Sequence, residues 1–116
     1  MKSGDSNTLL VLWTSGDLDV SMNMVLMYTY NAKALGWWQD VTLLIWGASP
    51  KLISENKQVR DRVKEIKDSG ARVIACKKCA ENLNLVESLE SQGIEVFYTG
   101  EFLTEWIKSG APMITI

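Results

Sequence analysis

The chain of 116 residues contains no histidine. That absence removes the Ser-His-Asp and Cys-His constellations, haem ligation by histidine and any imidazole general base. Catalysis, if any, must draw on Cys, Lys, Asp, Glu, Tyr, Ser or backbone groups. An excess of charge of one sign is also missing. Twelve Lys and Arg stand against fourteen Asp and Glu, for a formal net charge of −2. With no basic block, the chain offers no electrostatic footprint for nucleic acid or an anionic membrane. Long apolar runs are absent too: the longest uncharged helical stretch, between Asp19 and Lys33, falls short of a bilayer span, which takes about 20 residues. The polar lead over residues 1–8 lacks the shape of a signal peptide. The expectation is a soluble, cytoplasmic protein.

Cysteine is scarce. Cys76 and Cys79 form a single CxxC, which is no secreted disulfide framework. A structural zinc site takes four thiolate or imidazole ligands, so only a symmetric dimer sharing four thiolates would complete one. No resident metal and no cofactor are expected. The Thr14-Ser15-Gly16-Asp17 segment lacks both the P-loop lysine pattern and GxGxxG, so no nucleotide site is assigned to it.

What is present is 47% hydrophobic residues, enough for a real core, in a length that fits one domain spanning 1–116. Leu9-Leu10-Val11-Leu12-Trp13 is a continuous apolar run, as expected of a strand buried on both faces. A helical segment follows Asp17 to about Leu35, with Gly36 as its stop. Val41 to Trp46 reads as a second buried strand. A helix with Pro50 in its first turn then runs to Gly70, with Leu52, Val59, Val63 and Ile66 inward and Lys57, Arg60, Asp61, Lys64 and Glu65 toward water. Ala71 to Ala75 is a third strand that delivers Cys76. The helical segment after it is interrupted at Asn84, a residue type that tolerates the left-handed conformation. Ile94 to Tyr98 is a fourth strand. Glu101 to Lys108 is a short helix with Leu103, Trp106 and Ile107 inward, and Pro112 to Ile116 is a fifth strand. Strict alternation of this kind predicts an α/β sandwich around a mainly parallel sheet.

In a parallel sheet the C-terminal strand ends share one edge, where ligands bind. Four segments are thereby expected together: Trp13-Thr14-Ser15-Gly16, Trp46-Gly47-Ala48-Ser49, Cys76-Lys77-Lys78-Cys79 and Tyr98-Thr99-Gly100. Cys76 sits where unpaired N–H groups and the helix dipole favour a thiolate, and Lys77 and Lys78 push the same way. It is the candidate nucleophile, with Cys79 as a second catalytic thiol. Packing is the competing reading of both, because free cysteine is among the most buried residue types. Thr14, Ser15, Gly16, Trp46 and Gly47 are candidate binding residues beside Lys77 and Lys78. Against this stand ordinary turn and N-cap chemistry for residues 14–17, and core packing for Trp13 and Trp46. Asp17 and Asp19 complement the helix dipole and do not form an acid/base couple.

The first helix carries Val20, Met22, Met24, Val25, Leu26, Met27, Tyr28 and Tyr30, and Trp37 and Trp38 follow it. A helix apolar nearly all round is buried on more than one side, which on a small domain predicts a subunit interface. A homo-oligomer is expected: a dimer, trimer or hexamer.

The run ending Trp13-Thr14-Ser15-Gly16, the Val41 to Gly47 strand, the Val73-Ile74-Ala75-Cys76 strand end and Gly93-Ile94-Glu95-Val96 together resemble the DsrE/DsrF family, which includes the TusD-type sulfur-relay proteins. The resemblance runs from about Leu9 to Ile116. It implies a five-stranded sheet of order 4-3-2-1-5. Right-handed crossovers would then put the helices of the first three steps on one face and the return to strand 5 on the other. It also implies that Cys76 carries sulfur as a persulfide, exchanged with donor and acceptor proteins. Lys77, Lys78, Cys79 and Asn84 depart from the family pattern, where small apolar residues follow the cysteine and a glycine is frequent at the last position.

Three functions follow from the residues and the resemblance. The leading one is a small sulfur-carrier or sulfurtransferase-like protein in which Cys76 holds a persulfide and Cys79 is able to resolve it. The second is a CxxC dithiol redox protein, whose motif stands at the right strand-to-helix junction but without a facing cis-proline candidate. The third is a non-enzymatic, oligomeric ligand-binding or assembly module with structural cysteines.

Overall fold

The computed structural model describes residues 7–116; the first six residues of the polar lead lie outside the described residues. Five strands, β1 (Thr8–Trp13), β2 (Asp40–Ile45), β3 (Arg72–Cys76), β4 (Glu95–Phe97) and β5 (Met113–Thr115), form one sheet in the order β4-β3-β2-β1-β5. Every pairing is parallel, with Trp13 level with Ile45 and Cys76 level with Phe97. All six residues of β1 are buried, because this strand is central and covered on both faces.

The period-two alternation divides the sheet's side chains between two cores. Leu9, Val11, Trp13, Val41, Leu43, Ile45, Val73 and Ala75 join a large cluster with Val25, Leu26, Ile53, Val59, Val63, Ile66, Ala80 and Leu89 from the helices of that face. Leu10, Leu12, Leu44 and Ile74 point the other way, into a small cluster closed by Trp106 and Ala111. Among the described residues, the helix that packs on this second face is α7 (Gly100–Ser109), which leads into the return strand β5. Two-sided burial of this kind contributes about 1.5–3 kcal/mol for each fully covered Leu or Ile.

Several elements differ in detail from the sequence reading. The first helix has three contiguous pieces: α1 (Leu18–Val20), a π-helical turn (Ser21–Val25) and α2 (Leu26–Ala34). The π turn keeps Ser21 and Val25 both buried, and Ser21 Oγ accepts the buried indole N–H of Trp13 at 3.0 Å. The expected single helix from Pro50 to Gly70 is two, α3 (Ser49–Glu55) and α4 (Lys57–Asp68). Asn56 lies between them in an extended conformation and its side chain accepts the Val59 N–H at 3.1 Å, which starts α4 afresh. Arg60, expected to face water, donates to the Ile53 and Ser54 carbonyls at 3.1 and 2.9 Å and so satisfies the end of α3. Asn84 does adopt the left-handed conformation (φ 57°), separating α5 (Lys77–Leu83) from α6 (Val86–Ser91). On α7, Ile107 is 58% exposed instead of inward, and Phe102 packs in its place with Leu103 and Trp106.

Candidate functional site

The C-terminal ends of β1 and β2 turn into one tightly fitted platform. Trp46 N–H donates to the Trp13 carbonyl at 3.0 Å, and Ala48 N–H donates to the Thr14 carbonyl at 3.1 Å. The buried Ser49 hydroxyl accepts the Trp46 N–H and shares its proton between the Trp13 and Trp46 carbonyls, at 2.8 and 2.9 Å. Gly47 adopts φ +64°, and a Cβ built there would lie 3.2 Å from the Thr14 carbonyl oxygen. A Cβ on Gly16 would lie 3.0 Å from that of Ala48. The two small residues therefore let the turns close on each other, a reason for glycine that the strand-ending pattern alone did not reveal.

The thiols complete this platform. Cys76 is the last residue of β3 and the N-cap of α5, and its Sγ accepts the Cys79 backbone N–H at 3.5 Å. Both thiols are free; Cys76 is buried and Cys79 half-buried. Burial pushes the Cys79 thiol above its ordinary range, and its hydrogen bond with the Cys76 sulfur pushes it further the same way. A backbone hydrogen bond from Gly47 pulls in the opposite direction. The two thiols thus stand together at the end of β3 and the first turn of α5.

Lys77 and Tyr98 flank this group. The Lys77 ammonium lies 5.3 Å from the centre of the Tyr98 ring, and the Tyr98 hydroxyl donates to both Glu81 carboxylate oxygens, at 3.1 and 2.9 Å. That bond raises the Tyr98 pKa, since it favours the protonated phenol beside a carboxylate. Glu81 escaped the sequence reading, although its i, i+4 spacing from Lys77 on one helix face was available as a signal. Lys78 is exposed.

Other expected site residues are engaged elsewhere. The Thr14 and Ser15 N–H groups donate to the Ile116 carbonyl at 2.6 and 3.2 Å, and the Thr14 hydroxyl donates to the same oxygen at 3.0 Å. The Ser15 hydroxyl accepts the Asp17 N–H, and Asp17 caps α1 by accepting the Val20 N–H at 2.8 Å. Trp13 is wholly in the core, whereas Trp46 is half-buried against the small cluster under α7. Thr99 follows Tyr98, and its hydroxyl is buried without a hydrogen-bond partner. Among the described residues no group of three or more Cys, Asp or Glu is placed to hold a metal ion, and no helix is long and apolar enough to cross a membrane.

No family model matches the chain, and no curated protein does. Among solved structures, BT1422, a conserved protein of unknown function from Bacteroides thetaiotaomicron, is 37% identical with a TM-score of 0.92, and 95% of each chain is covered. The ychN protein of E. coli superimposes with a TM-score of 0.72 over 97% of this chain and 100% of its own, at 13% identity. At that identity the likeness is one of fold.

Proposed function

The chain belongs to the same family as the Bacteroides thetaiotaomicron protein, and within that family we propose that it is a DsrE/DsrF-like sulfur carrier that holds a persulfide on Cys76. The fold shared with ychN is compatible with this reading. The observation that carries it is the placement of Cys76 at the end of an interior strand and the start of α5, its sulfur met by the Cys79 N–H at 3.5 Å.

In the loading step the Cys76 sulfur attacks the outer sulfur of a donor persulfide. A bond forms between Cys76 Sγ and that sulfur, the donor S–S bond breaks, and the donor leaves as a thiolate. In the delivery step an acceptor thiol attacks the outer sulfur, and Cys76 leaves with the electron pair. Neither step changes the total oxidation state of the sulfurs, and neither uses an imidazole.

The test is the intact mass of the reduced protein after exposure to a sulfur-loaded cysteine desulfurase. Cys79→Ser should gain one sulfur atom, reversible by a thiol, and Cys76→Ser should gain none. Loading that survives in Cys76→Ser would sink the proposal.

The placement of the CxxC across the first turn of α5, with the Cys79 N–H on the Cys76 sulfur, favours one competing reading, a CxxC dithiol redox protein. It calls for a defined Cys76–Cys79 reduction potential and no uptake of sulfur in the same experiment.

A second copy of the chain is the partner that suits the first helix. Leu18, Val20, Met24 and Met27 are exposed along it, as is Trp37 just beyond. Asn23, Met24, Met27, Tyr28, Asn31 and Trp37 line an open groove of about 320 Å³ without a charged side chain, so two such faces can meet without like-charge repulsion. Light scattering at micromolar concentration should show an oligomer that Met27→Lys weakens; a monomer in the wild type would refute this.

A further inference from the structure

The carrier reading uses one thiol, yet the fold builds a site for two. Cys76 is the N-cap of α5 and Cys79 lies one helical turn after it, with its backbone N–H donating to the Cys76 sulfur at 3.5 Å. Both thiols are free. A second thiol across the first turn of the same helix is placed to react with whatever the first one carries.

We propose that the protein has a sulfide-releasing activity in which Cys79 attacks the inner sulfur of the Cys76 persulfide and discharges the outer sulfur as hydrosulfide. This rests on the proposed persulfide at Cys76. One bond forms, between Cys79 Sγ and Cys76 Sγ, and one breaks, between Cys76 Sγ and the outer sulfur. The outer sulfur leaves with the electron pair and is reduced, while the Cys79 sulfur is oxidised by the same amount. The Cys79 proton passes to solvent or to the departing sulfide. The product is a Cys76–Cys79 disulfide, and an external dithiol reductant returns it to the two free thiols for another cycle.

The experiment loads reduced wild type, Cys79→Ser and Cys76→Ser with glutathione persulfide, removes the donor without oxygen, and follows protein mass and free sulfide over time. Wild type should lose the added sulfur, appear as a species two hydrogens lighter than the dithiol, and release one sulfide per chain. Cys79→Ser keeps the backbone N–H that meets the Cys76 sulfur; it should take up sulfur and then hold it at least about tenfold longer than wild type. Equal persulfide lifetimes in wild type and Cys79→Ser would overturn the proposal. So would peptide mapping that finds the sulfur moved intact onto Cys79 without release of sulfide. Failure of every variant to take up sulfur would instead strike the carrier reading, and this inference with it.

Discussion

The indole N–H of Trp13 donates to the Ser21 hydroxyl at 3.0 Å, and both residues are fully shielded from water. The bond ties the end of the central strand to the π-helical turn above it. Without Ser21 the indole would be left as a buried, unpaired donor, which costs about 1–3 kcal/mol. Ser21→Ala should therefore lower stability by that amount in urea unfolding, with no change in the slope of the transition. Trp13→Phe should cost more, since it also leaves a void.

Gly47 invites a conformational prediction. Alanine there must adopt φ +64° and place its Cβ 3.2 Å from the Thr14 carbonyl oxygen. Left-handed strain costs about 1–2 kcal/mol for a residue with a side chain, before the crowding is counted. Gly47→Ala should lower the melting temperature, and by displacing the amide it should slow alkylation of Cys79 at a given pH.

The Cys79 thiol is held above its ordinary range by burial first and by Cys76 second. Its thiolate should therefore form later on raising the pH than that of a free cysteine. Cys76→Ala removes the second cause and leaves the first, so the pH midpoint for iodoacetamide modification of Cys79 should fall. The sign for stability follows the same shift: a folded-state value raised above the unfolded one contributes below the ordinary thiol range and is lost as the pH climbs through the folded value.

Arg72 and Glu95 form a two-pronged ion pair across β3 and β4, at 2.9 and 3.1 Å. The hydrogen bond from Arg72 holds the Glu95 carboxyl below its usual range, so the pair's contribution is present above the ordinary carboxylate range and is lost as the pH falls through the depressed value. Both side chains are about half exposed, which with solvent screening limits the pair to no more than about 1 kcal/mol. Glu95→Gln should cost that much or less at neutral pH. The difference from wild type should shrink in acid and in high salt.

Thr99 offers the reverse case. Its hydroxyl is buried and unpartnered, so Thr99→Val keeps the shape and removes a polar atom that gains nothing. Thermal unfolding should show a neutral or stabilising effect, unlike most buried substitutions.

The sheet was legible because its signals are strong and local. Leu9 to Trp13 is apolar without alternation and Val41 to Trp46 is so apart from Thr42, as suits strands covered on both faces, and the order β4-β3-β2-β1-β5 agrees with the resemblance drawn from their sequence. Asn84 was legible from its chemistry. The break at Asn56 was not, because the apolar stripe of Leu52, Val59 and Val63 continues across it; the cap that divides the helices is a single side-chain oxygen. The π turn was hidden for a related reason, since Ser21 looks like a solvent-facing residue until Trp13 is placed beneath it. At the site, Cys76 and Cys79 could be located from spacing alone. The close approach of Gly47 to Thr14 could not, because it depends on how two strand ends fit together in space.

Setting β5 beside β1 joins Thr14 to Ile116, 102 residues apart. During synthesis β1 emerges long before β5. The helices on the large cluster can settle on β1, β2 and β3 as they appear, but α7 and β5 follow later. Until they do, Leu10, Leu12, Leu44 and Ile74 lack the cover that Trp106 and Ala111 give them. The nascent sheet is open to wrong associations over that interval, and the arrival of α7 with β5 ends it.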